Sequence, residues 1–436
     1  MKIKSLYALL LLICIINNSV EVVAQNAVAT NPIAITTNIE LPRATPESVG
    51  MSPTRLKMME EKMHTYVDNG QLAGVQTAII RKGKVVQFNT YGYEDVDTKD
   101  PLKENSIFRI YSMTKPIVSI GLMMLYEEGK FQLNDPLHKY APEFKEMQVY
   151  VGDGKTEPAK NPIRVIDVLR HTTGFGYGWG NPPNHVDSLY AVGAKRMGTT
   201  NNREFLRNMS KLPLYYQPGT GWRYSVSTDV AGALLEIIAN QPLDEFLEER
   251  ILNPLGMKDT HFEVPDAKDE RFISNYTHKK DGSLQVIDHP SMSKYCKEVT
   301  MFSGGGGLVS TSNDYLRFCQ MLLNKGELNG VRLISPKTLE LMTGNHTKDT
   351  PHAGGPIALP SKGTAFGLGF SVTTDLAATA MLGSEGTFGW GGAAGTYFRI
   401  DPKEEMAILM MIQVMPYNHL QARERFHNLV YQAIVD

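Results

Sequence analysis

Residues 109–130 read "RIYSMTKPIVSIGLMMLYEEGK". Ser112 and Lys115 stand three residues apart, ahead of a run apolar enough to form a buried helix. On a helix, positions i and i+3 share one face. A serine hydroxyl is a poor nucleophile unless a base lies within hydrogen-bond reach. A free lysine has a pKa of about 10.4, and burial or a neighbouring cation can free its amine to accept a proton. The apolar run supplies such surroundings. The start of the helix also offers backbone N–H groups to a developing oxyanion. Serine, base and dipole can therefore share one turn. A helix cap beside a snorkelling lysine would use the same residue types. A second Ser-x-x-Lys, Ser291-Met292-Ser293-Lys294, has no apolar helix behind it and reads as chance.

Upstream of this stretch, Ser52-Pro53 reads as an N-cap with proline at the first helical position. The helix it opens carries Leu56, Met59, Met63 and Val67 at helical spacing and ends near Asn69-Gly70. Val75–Ile80 and Val85–Asn89, joined by Arg81-Lys82-Gly83-Lys84, form a β-hairpin signal. Downstream, from about 130 to 300, short helical patterns alternate with Pro and Gly clusters. They include 163–170, 230–239 and 243–252, and no clear strand pair shows there. After Gly304–Gly307, Ser312 reads as the cap of a helix over 313–324. Strand signals return at 366–373, 395–400 and 406–414, and a helix closes the chain over 420–434. Both chain ends thus read as sheet plus helix. The expected fold class is α/β (α+β): an antiparallel sheet flanked by helices, built from both chain ends, with a mostly helical domain inserted. The expected boundaries are 51–130 with 301–436 for the discontinuous α/β domain, and 131–300 for the helical one.

The chain has 436 residues, 42% hydrophobic and 21% charged, with a net charge of −2. That composition suits a large globular core, and with no basic block nucleic acid is not an expected partner. At the N-terminus, Lys2 and Lys4 precede an apolar run over 6–16, followed by Val22-Val23-Ala24. This layout predicts a signal peptide over 1–24, a leader over 25–50 and a periplasmic or secreted destination. The run is too short to span a bilayer, and no membrane span is expected after cleavage. Cys14 leaves with the signal, so Cys296 and Cys319 remain, too few for a disulfide framework.

Two further stretches bear chemistry. In "GWRYSVSTDVAGALLEIIAN", 221–240, Tyr224 precedes an apolar helix. A tyrosine near a lysine cation can act as a phenolate base or pass a proton to a leaving group. A structural aromatic would read the same. In "FGWGGAAGTYFRIDP", 388–402, small residues precede a strand. Gly391, Gly392 and Ala393 would let a substrate approach the backbone, where an exposed N–H could complete an oxyanion hole. Gly389–Ala394 also satisfies G-x-G-x-x-A, but a strand rather than a helix follows, so no dinucleotide site is expected.

In this order, the three stretches resemble the serine β-lactamase and penicillin-binding-protein superfamily, and within it the class C β-lactamases and the related family VIII carboxylesterases. The stretches 169–178, 254–262 and 304–318 are similar as well, so the resemblance covers most of the chain from Ser52 onward. It implies that Ser112 is the acylated nucleophile, Lys115 its partner base and Tyr224 the catalytic tyrosine. It places Trp390-Gly391-Gly392 at the usual Lys-Thr-Gly, and the N–H groups of Ser112 and Ala393 at the oxyanion.

Two departures steer the substrate class. Trp390 stands where β-lactamases carry a lysine that helps hold the substrate carboxylate. Val226 stands where they carry an asparagine. Both remove polar grip on a β-lactam, and Trp-Gly-Gly is similar to the family VIII esterases. The expected activity is a secreted serine hydrolase acting on carboxylic esters. A β-lactamase or D-amino-acid peptidase, an acyltransferase and a non-catalytic acyl-binding sensor are the alternatives. No G-x-S-x-G, His-Glu-x-x-His or clustered Cys/His spacing is present, so neither an α/β-hydrolase nor a metal or cofactor is expected. The implied partner is a small-molecule ester or amide. The loops expected to set acyl size lie near 174–183 and 346–363.

Overall fold

The structure, a computed structural model, describes residues 40–179, 185–196, 201–355, 357 and 359–436. The expected signal peptide and residues 25–39 of the leader lie outside the described residues, as do 180–183, 356 and 358 of the two loops. The framework elements, in chain order, are helix α1 (Pro53–Asp68), strands β1 (Gly74–Arg81) and β2 (Lys84–Gly92), and helices α2 (Thr114–Glu127), α3 (Ser227–Ala239) and α4 (Ser312–Leu323). Strands β3 (Thr364–Phe366), β4 (Ser371–Thr373), β5 (Phe388–Gly391), β6 (Tyr397–Asp401) and β7 (Met406–Met411) follow, then helix α5 (Ala422–Tyr431).

The seven strands form one antiparallel sheet in the order β3-β4-β5-β6-β7-β1-β2. The first hairpin of the chain thus pairs with the last strand, so both chain ends build the sheet. Successive side chains point to opposite faces of a strand. In β7, Met406, Ile408 and Met410 enter a core with Leu56, Met59 and Met63 of α1 and Phe426 and Val430 of α5. Ala407, Leu409 and Met411 enter the larger core on the other face, with α2, α3 and α4. The middle of the chain supplies most of the remaining helices.

Local chemistry accounts for the element ends. The Ser52 hydroxyl accepts the Arg55 N–H, with Pro53 opening α1. Thr311, rather than Ser312, caps α4 by accepting the Asp314 N–H; Ser312 is already helical and donates to Gln76 Oε1 at 2.5 Å. The stretch 366–373 is a β3-β4 hairpin rather than one strand. Phe366, Leu368, Phe370 and Val372 alternate as a single strand would, but Gly369 takes φ +94° and the Gly367 N–H returns to the Phe370 carbonyl at 2.8 Å. The middle region also holds two strand pairs, Gln148–Gly152 with Lys155–Pro158 and Asn275–His278 with Leu284–Asp288. Both are two-stranded ribbons with many solvent-facing side chains, so little apolar alternation marks them. Cys296 and Cys319 are free thiols. Among the described residues, no helix is long and apolar enough to cross a membrane.

Candidate active site

Ser112 occupies a single 3₁₀ turn, Tyr111–Met113, feeding directly into α2. Tyr111 takes φ +44°, a left-handed conformation that a bulky residue holds only under constraint, at roughly 1–3 kcal/mol. Its hydroxyl accepts the Asn275 amide at 2.9 Å, and burial raises its pKa to about 12. The first bond of the turn runs from the Met113 N–H to the Ile110 carbonyl, so the Ser112 N–H is among the leading donors that a turn leaves unspent.

Lys115 sits fully buried in the first turn of α2. Its Nζ donates to Ser112 Oγ at 3.3 Å, to Tyr177 Oη at 3.1 Å and to the Gly305 carbonyl at 2.5 Å. That carbonyl is held in turn: the Gly305 N–H donates to Asp229 Oδ1 at 3.0 Å, and Ser303 Oγ donates to the same oxygen at 2.5 Å. Asp229 lies in the first turn of α3, and the Gly304–Gly307 loop presses against that helix. A Cβ on Gly304 would stand 2.5 Å from the Thr228 carbonyl, and one on Gly305 would overlap the Asp229 carboxylate. Only glycine permits this approach. Burial first, then the Asp229 charge and Tyr224, holds the Tyr177 phenol well above its ordinary pKa, so it stays a neutral partner for the lysine.

Tyr224, just ahead of α3, donates to Ser112 Oγ at 2.7 Å and accepts from Trp390 Nε1 at 3.4 Å. Lys115 Nζ lies 4.8 Å from its ring centroid, over the aromatic face. His171, Tyr177 and Trp390 pack around the ring at centroid distances of 5.0, 5.5 and 5.4 Å. Below it, His171 Nδ1, Ser225, Ser227 and Thr173 form a buried chain of hydrogen bonds. Burial, then the Lys115 charge, pushes the His171 pKa well below its usual value, so this imidazole is a neutral support.

The third stretch closes the site. Trp390 and Gly391 end β5, and Gly392 and Ala393 follow. A Cβ on Gly392 would overlap Thr396 Oγ1 and the Ile110 carbonyl, so glycine lets this strand end touch the turn bearing Ser112. The Gly392 carbonyl accepts from Arg423 Nη2 at 2.5 Å and from the Gly395 N–H at 3.1 Å. In a planar trans peptide, C=O and N–H point in opposite directions. Fixing the Gly392 carbonyl toward Arg423 therefore turns the Ala393 N–H away from it. Arg423 also donates to the carbonyls of Thr396 at 2.6 Å and Gly395 at 3.2 Å, and to Tyr417 Oη.

Ser112, Tyr224, Trp390, Gly391, Gly392 and Ala393 line one cavity of about 880 Å³. Its walls are largely apolar, with Trp179, Ile287, Ile357, Leu359 and Met415. Trp179 stacks on Tyr177 at 4.2 Å and carries the aromatic surface out to solvent. A wider hollow of about 960 Å³ at Asn69–Gln71 and His278–Leu284 holds none of these groups.

All seven residues singled out from sequence thus converge. Tyr177, Trp179, Asp229, Gly305 and Arg423 were not singled out. Tyr177 lies inside a noted stretch, 169–178, and Asp229 inside another, 221–240, but neither spacing nor periodicity marks them. The second Ser-x-x-Lys is structural: Ser293 caps the turn Lys294–Cys296 and accepts from buried Arg109, while Lys294 is exposed over the Tyr295 ring. The Gly389–Ala394 stretch ends a strand and opens no helix, in keeping with its exclusion as a dinucleotide site.

Comparison with known proteins identifies the family. The Beta-lactamase family model matches residues 59–432. Protein Rv1367c of Mycobacterium tuberculosis is 35% identical over 362 residues, covering 80% of this chain and 88% of its own. Esterase EstB of Burkholderia gladioli is 27% identical over 362 residues, covering 78% and 86%. Among solved structures, EstCE1, described as a hydrolase with promiscuous acyltransferase activity, superposes with a TM-score of 0.73 at 24% identity, covering 87% of this chain and 98% of its own.

Proposed function

The chain belongs to the Beta-lactamase family, and from that premise we propose that this serine hydrolase cleaves carboxylic esters through an acyl-enzyme on Ser112. The observation that carries the proposal is Ser112 Oγ, held 3.3 Å from Lys115 Nζ and 2.7 Å from Tyr224 Oη in the cavity that Ala393 also lines. Lys115 and Tyr224, acting as a coupled pair, take the Ser112 proton as Oγ attacks the ester carbonyl. The N–H groups of Ser112 and Ala393 receive the oxyanion. Tyr224 passes the proton to the leaving alcohol, and the reverse sequence with water releases the acid.

Two features support an ester over a β-lactam. Trp390 turns its single donor inward to Tyr224, so that position brings no cation to a substrate carboxylate. Val226 is buried and offers no amide. The name of the relative EstB points the same way. We also propose export, on the strength of the 1–24 segment; N-terminal sequencing of the mature protein from the periplasm or medium should begin at Gln25.

The decisive experiment is hydrolysis of nitrophenyl butyrate by wild type and Ser112→Ala. Loss of ~10³-fold or more in kcat is expected for the variant, because the nucleophile belongs to a cooperating set. Equal turnover by both would reject Ser112 as the nucleophile. Silence of a folded wild type toward esters, with turnover of a β-lactam or a D-alanyl peptide, would reject the ester assignment.

A further inference from the structure

Arg399 is a charged group lining the cavity that the proposed chemistry does not use. It stands on β6 opposite Gly389 of β5. With no side chain at Gly389, the arginine lies across the sheet face; a Cβ there would stand 3.1 Å from Arg399 Cδ. Arg399 Nη1 donates to Ser371 Oγ at 2.6 Å and Nε to Tyr397 Oη at 3.1 Å, which fixes the guanidinium in place. No Asp or Glu is among the described residues that line the cavity. Asp401, two residues along the same strand face, is buried and engaged by Tyr431 Oη at 2.8 Å and by the N–H groups of Lys403 and Glu404. The other arginine, Arg423, directs its donors to backbone carbonyls and Tyr417.

A half-buried guanidinium anchored by two hydroxyls, with no carboxylate in ion-pair contact among the described residues, lacks the compensation such a charge ordinarily has. Its Nη2 edge has no partner among the described residues, in a cavity otherwise apolar or neutral apart from Arg423. A planar fork of this kind matches a carboxylate. Tyr397 pairs with Gly391, and Arg399 lies two residues further, roughly 7 Å along the strand. We propose that the substrate of this cavity carries a carboxylate, received by Arg399, besides the bond cleaved at Ser112. The proposal rests on the ester reading for the reaction but not for the binding.

The test separates the two. Binding is read by tryptophan fluorescence, Trp179 and Trp390 being in the cavity wall, using 4-acetamidobenzoate and its neutral isostere 4-acetamidobenzamide. The full chain should bind the anion ~10-fold or more tightly than the amide, less so at high salt. Arg399→Gln should bring the two within about twofold, while Arg399→Lys, which keeps the charge but loses the fork, should retain part of the preference. Equal affinities in wild type would overturn the proposal, as would a preference that survives Arg399→Gln. Turnover of 4-acetoxybenzoate and 4-acetoxybenzamide is measured alongside. Anion-selective binding without turnover of either would reject the ester reading and leave the subsite standing.

Discussion

Arg423 makes the clearest case for a residue that acts without touching the reacting atoms. Its fork holds the carbonyls of Gly392, Gly395 and Thr396, and the first of these sets the direction of the Ala393 N–H. Arg423→Met should lower kcat by roughly 10- to 10²-fold, somewhat less than outright removal of an oxyanion donor. KM should hold within about twofold, since a donor used only as charge develops contributes to the transition state alone. Arg423→Lys reaches at most one of the three carbonyls and should recover little. A raised KM with kcat retained would instead make Arg423 a binding residue. No sequence signal pointed to it, because its partners lie 27 to 31 residues upstream in a turn whose shape is not written in any local period. Ser112 and Lys115 were legible for the opposite reason: their relation is a helical spacing, readable from four consecutive residues. Tyr224 was legible only through the order of three stretches.

The turn Gly304–Gly307 shows how an element smaller than a helix sets the site, and why its glycines are not equivalent. A Cβ on Gly305 would overlap the Asp229 carboxylate that positions the loop, whereas one on Gly306 would meet its nearest atom, the Tyr111 carbonyl carbon, at an ordinary 3.5 Å. Gly305→Ala should therefore move the carbonyl that holds Lys115. The expected loss is about 1–3 kcal/mol of stability, as for other overpacked sites, together with most of the esterase activity. Gly306→Ala should stay near wild type in both. Urea unfolding and ester kinetics on the two variants check this, and equal behaviour would mean that the Asp229 contact does not govern the loop. In sequence the four glycines look alike, since what separates them is the distance to a helix some 70 residues away. The ribbons at 148–158 and 275–288 escaped notice for a related reason. They pair locally and stay largely solvent-facing, so their residues lack the dense apolar run that marks β7, which is buried along its whole length.

Over the whole molecule, the sheet closes only when the first hairpin meets the last strand, and α5 seals the face where they join. That closure was legible, because strand signals stand at both ends of the chain. How it responds to acid was not, because it depends on burial. His427 of α5 is buried against Tyr397 Oη and the Leu382 carbonyl. Burial lowers its pKa to about 4, with Arg399 adding to the effect and the Leu382 bond and Asp401 opposing it; the neighbouring Tyr431 ring stacks on it. An unfolded histidine titrates near 6.5. Below that pH the unfolded chain takes up a proton that the native state refuses, so this stabilisation is present above pH 6.5 and lost as the pH falls toward 4. Between pH 7 and pH 5 the loss amounts to about 2 kcal/mol. Asp314 works the other way: burial raises its pKa to about 6, so protonating it on acidification favours the native state. The total slope mixes such groups, but a difference between variants isolates one. Urea unfolding of wild type and His427→Gln at both pH values should show the variant losing about 2 kcal/mol less than wild type on acidification. An identical loss in both proteins would mean that His427 takes up its proton in the native state, and that the joint between α5 and the sheet opens to water well before the fold does.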